Sequence, residues 1–408
     1  MPGSAAAVAA GRSRTQSTRG PRQTAASLPL DVLVDIATRS DPTTLVRCAA
    51  TCVDMRCRIK DGTGLRLRHS DRFVPSLLRG HLIFKYVFLV DSTAQDATRL
   101  RRVTSDGIPL ASRDGLVLVL TRVGRELRVC DPATGSSQTL PPRPAFPVGV
   151  VDRMDPGRYI SYVLIVGGGG DDSKGAVVGR HFEVVMAYLE LSLNRRVLQL
   201  LTFSSEHGVW GRCTEARAHN LCGSYLQRGL GRALVIGGTV HWLAMSDTSA
   251  YLLKLHVKTA HLTVTMLPKS FGCTEWDSHL LATSSAGATL IVLVTNGRKI
   301  WAWSKQTSKW QQRPEAVIDK DAISRFLDKE GRGNNQVIMR GKGTLGLVCF
   351  AERSGIVLIT SGCTFFWLDL RSMEIVRCFS DSRLRDMDKN IPYEVNLTEW
   401  VPTFRSTL

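Results

Sequence analysis

The sequence lacks a long hydrophobic run, a C-x-x-C motif and an apolar N-terminal segment. Its most apolar uncharged stretch, from Tyr86 to Val90, is far shorter than the roughly 20 residues that span a bilayer. Without a secretory signal, ten cysteines in 408 residues indicate reduced side chains rather than a disulfide framework. We therefore expect a soluble protein of the cytoplasm or nucleus, with no membrane contact.

Complete catalytic and metal-binding motifs are also missing. Gly167–Gly170 follows an apolar run but leads into Asp171 and Asp172, whose charges would repel a phosphate. No G-x-S-x-G or H-E-x-x-H pattern occurs. Two groups of possible zinc ligands are also incomplete. Cys48, Cys52 and Cys57 lie in a single short helical stretch that lacks a fourth ligand, and the spacing of Cys213, His219 and Cys222 matches no structural zinc pattern. We therefore predict that the protein is not an enzyme and binds neither a cofactor nor a metal.

Acidic residues are too few to balance the basic ones. The chain has 53 Lys and Arg against 36 Asp and Glu, a net charge of +17. Residues 1–27 contain four arginines and no acid, and the remaining excess is spread along the chain. Because no nucleic-acid-binding motif accompanies this charge, we predict no nucleic-acid partner. Segment 1–27 is interpreted as a disordered tail, with an organelle transit peptide as the alternative.

Residues 28–68 have the pattern of short helices. Pro29 suits the first turn of a helix. Apolar residues then recur at the spacing of one helix face: Leu30, Leu33, Val34 and Ala37. Asp41-Pro42 suits the start of a second helix, and a third is predicted over about 52–60. Three such helices cannot bury a core alone, so their apolar residues predict an interface with the rest of the chain or with a partner.

Beyond residue 80 the pattern changes to short runs of Val, Leu and Ile separated by turns, which predicts an all-β domain over 81–408. His241-Trp242 is predicted to pack in one of its strands. Three pairs of runs are each predicted to form two strands joined by a turn: Gly115–Leu120 with Leu127–Cys130, Leu290–Val294 with Lys299–Trp303, and Gly355–Ile359 with Phe365–Leu368.

A weak repeat runs through this β-rich region. After a strand, a turn begins with a polar residue and usually has Thr or Ser three positions later, residues that cap their own backbone. The turns are Asp131–Thr134, a degenerate copy at Ser192–Arg195, His256–Thr259, Ser304–Thr307 and Asp369–Ser372. Their spacing is near or above that of four-stranded blades, which predicts a propeller-like domain of about six blades.

The two regions together resemble a known family. Residues 28–36, 41–48 and 52–56 resemble an F-box, a motif that begins with Leu-Pro and ends with Cys-x-x-x-Arg, except that Met55 stands where the family usually has Trp. The stretches 127–142, 237–243 and 392–397 resemble the propeller-like associated domain of F-box proteins of plants, especially grasses.

This resemblance implies an α+β multidomain protein with a basic tail over 1–27, a three-helix F-box over 28–68 and a propeller-like domain over 81–408. It further implies the substrate-recognition subunit of a Skp-cullin-F-box type ubiquitin ligase, a non-catalytic role. The F-box would dock on a Skp-type adaptor and through it on a cullin, while the β-domain would bind an unidentified target protein.

The adaptor contacts that the resemblance implies are Leu28, Pro29, Val32, Leu33, Ile36, Leu45, Val46, Cys48, Cys52 and Met55. The alternative is a propeller-type protein-binding scaffold outside ubiquitin chemistry, with the helices packed on it as a cap. A propeller enzyme would need converging catalytic groups, and the sequence indicates none.

Overall fold

A computed structural model shows the conformation of most of the chain. It describes residues 28–39, 48, 53–61, 78–83, 88–91, 99–103, 107–132, 134–146, 160–167, 181–268, 271, 278–284, 289–306, 309–311, 313–329, 344–362, 364–380 and 390–395. The predicted tail over 1–27 and the predicted F-box boundary at residue 68 lie outside these residues.

Two of the three predicted N-terminal helices are described. Helix α1 spans Leu30–Arg39 and helix α2 spans Val53–Asp61. The carbonyl of Pro29 accepts the first hydrogen bonds of α1, from the N–H groups of Val32 and Leu33 at 3.0 and 3.1 Å, as expected of a residue at the helix start. Of the second predicted helix, only Cys48 is described, and it is helical. The three-helix arrangement therefore stays a prediction.

The remainder is mostly β-structure. The first half contains β1 (Leu78–Ile83), β2 (Phe88–Asp91), β3 (Arg99–Arg102), β4 (Ile108–Arg113), β5 (Leu116–Leu120), β6 (Leu127–Cys130), β7 (Ser137–Thr139), β8 (Ile160–Val166), β9 (Phe182–Leu191), β10 (Arg196–Ser204), β11 (Val209–Trp210) and β12 (Thr214–Arg217).

The second half contains β13 (Leu234–Ile236), β14 (Thr239–Met245), β15 (Ala250–His256), β16 (His261–Met266), β17 (Ser278–Thr283), β18 (Leu290–Thr295), β19 (Lys299–Gln306), β20 (Lys309–Trp310), β21 (Glu315–Asp319), helix α3 (Lys320–Lys329), β22 (Leu345–Ala351), β23 (Ile356–Ser361), β24 (Thr364–Asp369), β25 (Glu374–Ser380) and β26 (Ile391–Glu394).

These strands form a propeller-like ring of antiparallel sheets. Five sheets consist of consecutive strands: β4 to β7, β8 to β12, β13 to β16, β17 to β21 and β22 to β25. A further sheet, here called the closing sheet, has the order β26-β1-β2-β3 and so joins the C-terminal strand to the first three strands. The described strands therefore give five blades of consecutive strands, plus the closing sheet that completes the ring.

The predicted strand pairs are confirmed. Strand β5 pairs with β6, β18 with β19, and β23 with β24, each antiparallel. In the predicted turns, side chains cap the backbone. The Oγ of Ser192 accepts from Arg195 N–H at 3.0 Å, and an Oδ1 of Asp369 accepts from Arg371 N–H at 2.7 Å. These contacts are local in sequence, which is why a sequence pattern could indicate them.

Helix α3 was not predicted. Its N-terminus is capped by Asp319, whose Oδ1 accepts from Ala322 N–H at 2.9 Å. Ile323 and Leu327, four residues apart, are buried in the core that the neighbouring sheets share. The helix follows strand β21 directly, so its short apolar pattern could not be distinguished from that of the surrounding strands.

The core lies between neighbouring sheets and includes polar contacts that fix how they pack. Trp242, in β14, is fully buried, and its indole N–H donates to the Oγ of Ser161 in β8 at 2.8 Å. His241 is buried beside it. The prediction that His241-Trp242 packs in a strand is therefore confirmed.

Candidate functional sites

Helix α1 carries an exposed apolar surface, here called the α1 stripe. The exposed fractions are 54% for Leu28, 42% for Val32, 36% for Leu33 and 50% for Ile36. At about 100° per residue, Val32 and Ile36 lie about 40° apart on the helix, with Leu33 at the edge of the same face. Leu28 lies just before the first residue of the helix. Apolar side chains are commonly exposed singly, but a grouped set on one helix face is typical of an interaction site.

The opposite side of α1 faces helix α2. Leu30 and Val34 lie there and are half-buried. Asp31 accepts a hydrogen bond from Arg58 of α2, and the two side chains form an ion pair. Both groups are largely exposed, so this pair contributes little to stability. It does mark which face of α1 the second helix covers, and that face is not the α1 stripe.

The structure separates the predicted adaptor contacts into three groups. Leu28, Pro29, Val32, Leu33 and Ile36 are exposed, and Cys48 is half-buried. Met55 is only 6% exposed, so in this structure it is an interior residue and does not belong to the exposed surface. Leu45, Val46 and Cys52 lie outside the described residues.

A second candidate site is a cavity of about 600 Å³ in the middle of the ring, here called the central cavity. One strand from each sheet contributes to its wall, together with the segment before β13. The apolar residues that line it include Leu110, Leu164, Leu280, Leu281, Phe350 and Ile391. Its size is within the range of small-molecule sites in proteins, about 300–1,000 Å³.

Charged side chains from turns on three sides meet at the central cavity. Arg113 ends β4, and its guanidinium donates to a carboxylate oxygen of Glu352, in the turn after β22, at 2.5 Å. The same guanidinium reaches the carbonyl of Val235 in β13 at 3.4 Å, while Val235 N–H donates to Glu352 Oε1 at 3.2 Å. Three sheets are therefore tied together by one ion pair.

A second ion pair lies beside the first. The turn between β4 and β5 consists of Asp114 and Gly115, whose φ angles of 48° and 86° suit the two-residue hairpin turns that need positive φ. This turn places the Asp114 carboxylate against Arg353, which donates to both of its oxygens at 3.1 Å. Such two-point pairing fixes orientation as well as charge.

Glu394, at the end of β26, ties the closing sheet to this cluster. Its carboxylate accepts from Ser354 N–H at 2.7 Å, from the Ser354 hydroxyl at 2.6 Å and from Arg353 N–H at 3.1 Å. Burial raises the pKa of Glu394, although these hydrogen bonds oppose the shift. For Arg113, burial alone would lower the pKa, but the attraction of Glu352 and Asp114 outweighs it and the pKa is raised.

None of these cavity residues was predicted from the sequence to be functional. Arg113 and Glu352 are 239 positions apart, and no motif connects them. The one available signal was the resemblance of residues 392–397 to the associated domain, which includes Glu394. These residues meet only because the ring closes.

Within the part of the chain that the structure describes, no three His, Cys, Asp or Glu side chains come together as a metal site. Cys213 is half-buried and Cys222 is exposed. The described helices have nine or ten residues, and none could cross a bilayer.

Comparisons with known proteins give one match to a family and several to solved structures. Residues 202–399, just under half of the chain, match the family described as Domain of unknown function (DUF7595). A search of curated proteins gives no match.

Three of the solved structures that resemble this chain are a nidogen/laminin complex, the Cps50 (Swd1) β-propeller domain of Myceliophteria thermophila and YCF48 of Cyanidioschyzon merolae. The first is 8% identical with a TM-score of 0.41, over 76% of this chain and 96% of that one. The second is 9% identical (TM-score 0.37; 74% and 79% covered). The third is also 9% identical (TM-score 0.37; 76% and 87% covered). At these scores the matches carry no argument about function, and the propeller assignment stands on the sheet order.

Proposed function

We propose that this protein is the substrate-recognition subunit of a Skp-cullin-F-box type ubiquitin ligase of the cytoplasm or nucleus. In this proposal the α1 stripe docks on a Skp-type adaptor, and the propeller of about six blades binds the target protein. The protein performs no bond chemistry itself. It raises the local concentration of target lysines near a ubiquitin-loaded partner.

The observation that supports this proposal is the exposure of the α1 stripe. Leu28, Val32 and Ile36 are each at least 42% exposed, although α1 is paired with α2 on its other side. If the helices were a cap on the propeller, these apolar side chains would be the ones expected to be covered. Their exposure favours docking on a separate protein over the cap alternative. The F-box resemblance of residues 28–36 supplies the identity of that protein.

The test is a double substitution on the stripe. Leu33→Asp with Ile36→Asp places two carboxylates in the proposed apolar contact, where anchor residues are typically worth about 2 kcal/mol or more each. A combined loss of about 4 kcal/mol corresponds to roughly thousandfold weaker binding. We expect the double variant to lose a purified Skp-type adaptor in a pulldown and in titration calorimetry, with a thermal midpoint within about 1 °C of the parent.

A matched control changes the same number of exposed apolar residues elsewhere. Val123 and Leu193 are 81% and 80% exposed in turns of the propeller, and their double Asp variant should bind the adaptor like the parent. The proposal would be refuted if the stripe variant still bound the adaptor, or if the parent did not bind it. Lost binding together with a collapsed melt would instead support the cap alternative.

A further inference from the structure

The acids that line the central cavity all have other partners, which leaves none of them for Arg232. Four arginines and three acids line it: Arg113, Arg228, Arg232, Arg353, Asp114, Glu352 and Glu394. Arg113 pairs with Glu352, Arg353 pairs with Asp114, and Glu394 is satisfied by donors of residues 353 and 354. No acid of this set remains to pair with Arg232.

Arg232 is a half-buried, incompletely satisfied cation at the wall of the cavity. Its Nη1 atom is buried and has no hydrogen-bond partner, and it lies two residues before β13. Its one described electrostatic neighbour is the thiol of Cys349, a fully buried residue of β22. A thiol is a weak hydrogen-bonding group and does not balance a guanidinium charge.

Arg232 and Arg113 line the same cavity but differ in the direction of their pKa shifts. The pKa of Arg232 is lowered by burial, and Cys349 offsets this only in part. Arg113 has two carboxylates and a raised pKa. Desolvation of a charge without a counter-charge is costly, so such sites usually contain a partner.

We infer that the central cavity binds a small amphipathic organic anion, whose carboxylate or phosphate group pairs with Arg232 and whose apolar part contacts the wall. A guanidinium is well suited to both anionic groups because its donors match their oxygens two at a time. Leu280, Leu281 and Phe350 supply the apolar contact. This inference is independent of the proposed adaptor function.

The test uses a pair of fluorescent probes that differ in charge. The anion 8-anilinonaphthalene-1-sulfonate should bind the native full-length protein at one site, and more tightly than the uncharged N-phenyl-1-naphthylamine. Arg232→Met keeps the side chain's length but removes its charge. It should weaken binding of the anionic probe by about 10- to 100-fold, the range of a charge-assisted hydrogen bond, while binding of the uncharged probe is retained.

Arg217→Met is the matched control. Arg217 is exposed on β12, which pairs with β10 and is separated from the cavity strand β8 by β9 and β10. It should leave both probes unaffected. Displacement of the anionic probe by octanoate or by octyl phosphate, and not by 1-octanol, would identify which anionic group the site prefers.

Three results would overturn the inference: no probe binding to the native protein, equal binding of the anionic probe by parent and Arg232→Met, or equal weakening by Arg217→Met.

If Arg232→Met does not fold, two other variants carry the test. Arg232→Lys keeps the charge and should retain part of the preference for the anion. Ala111→Leu reduces the cavity and should weaken both probes alike; unchanged binding of both would refute the assignment of the cavity.

Discussion

Acidification should destabilise the propeller through His241. This side chain lies in β14 and is 8% exposed. The Thr239 hydroxyl donates to the carbonyl of Ile236 at 2.6 Å, so its oxygen remains to accept from His241 Nε2–H at 2.9 Å. The Nδ1 atom is buried without a partner. A proton added there would create a buried donor with nothing to bind.

The magnitude follows from the shift in pKa. Burial, with smaller repulsion from Lys254, Lys305 and His256, lowers the pKa of His241 from 6.5 to about 4. Because the folded-state pKa is the lower one, the stabilisation is full above pH 6.5 and is lost as the pH falls toward 4. At pH 5 the loss is about 2 kcal/mol. For a domain of about 300 residues this is about 3 °C in thermal midpoint.

The assay is scanning calorimetry at pH 7.5 and pH 5 for the parent and for His241→Gln, which cannot be protonated. Comparing the two proteins removes the contributions of other groups. These include Glu394, whose raised pKa makes the stability decrease as the pH rises, opposite to the effect of His241. We expect the midpoint of His241→Gln to change about 3 °C less than that of the parent. The exposed His219, changed to Gln, should behave like the parent. An identical pH response of parent and His241→Gln would refute the reasoning.

Two further predictions concern the central cavity and a neighbouring loop. Glu394→Ala leaves two backbone N–H groups and the Ser354 hydroxyl without their acceptor and should cost about 3 kcal/mol of unfolding free energy in chemical denaturation. Glu394→Gln should cost less because its amide oxygen still accepts, and equal losses for the two variants would contradict this role. Gly223→Ala should cost about 1–3 kcal/mol of unfolding free energy, since φ is +114° and the new Cβ would lie 2.3 Å from Asp247 Oδ1. Gly135→Ala, at φ +76° with no atom within 4 Å, isolates the backbone cost. Equal thermal midpoints for the two variants would show that the Asp247 carboxylate moves aside.

The sequence by itself determined the local structure. Runs such as Leu116–Leu120 are apolar throughout, and the structure buries every residue of that strand. The turns after such strands begin with residues that cap their own backbone, as Ser192 does. Helix α1 likewise follows from Pro29 and a helical apolar spacing. In each case the residues that interact are close in sequence, so a pattern of a few positions contains the information.

The position of the apolar residues in α1 was only partly determined in this way. The helical spacing predicted an apolar face that includes Leu30 and Val34, and the structure leaves both half-buried on the side toward α2. The spacing did not predict which other apolar residues of the helix would stay exposed. The structure leaves Val32 and Ile36 exposed and buries Met55, although the F-box resemblance implies an adaptor contact for all three. Coverage depends on how two helices pack, which is a long-range property.

Only the tertiary structure decided the central cavity. Arg113 and Glu352 are 239 positions apart, and each alone reads as an ordinary charge at a strand end. They meet because β26 pairs with β1 and closes the ring, which brings turns from separate sheets to one place. Arg232 depends on the same closure, since its neighbour Cys349 belongs to a different sheet. Local patterns select strands and turns, but the contact between distant charges exists only once the sheets have assembled around a common centre.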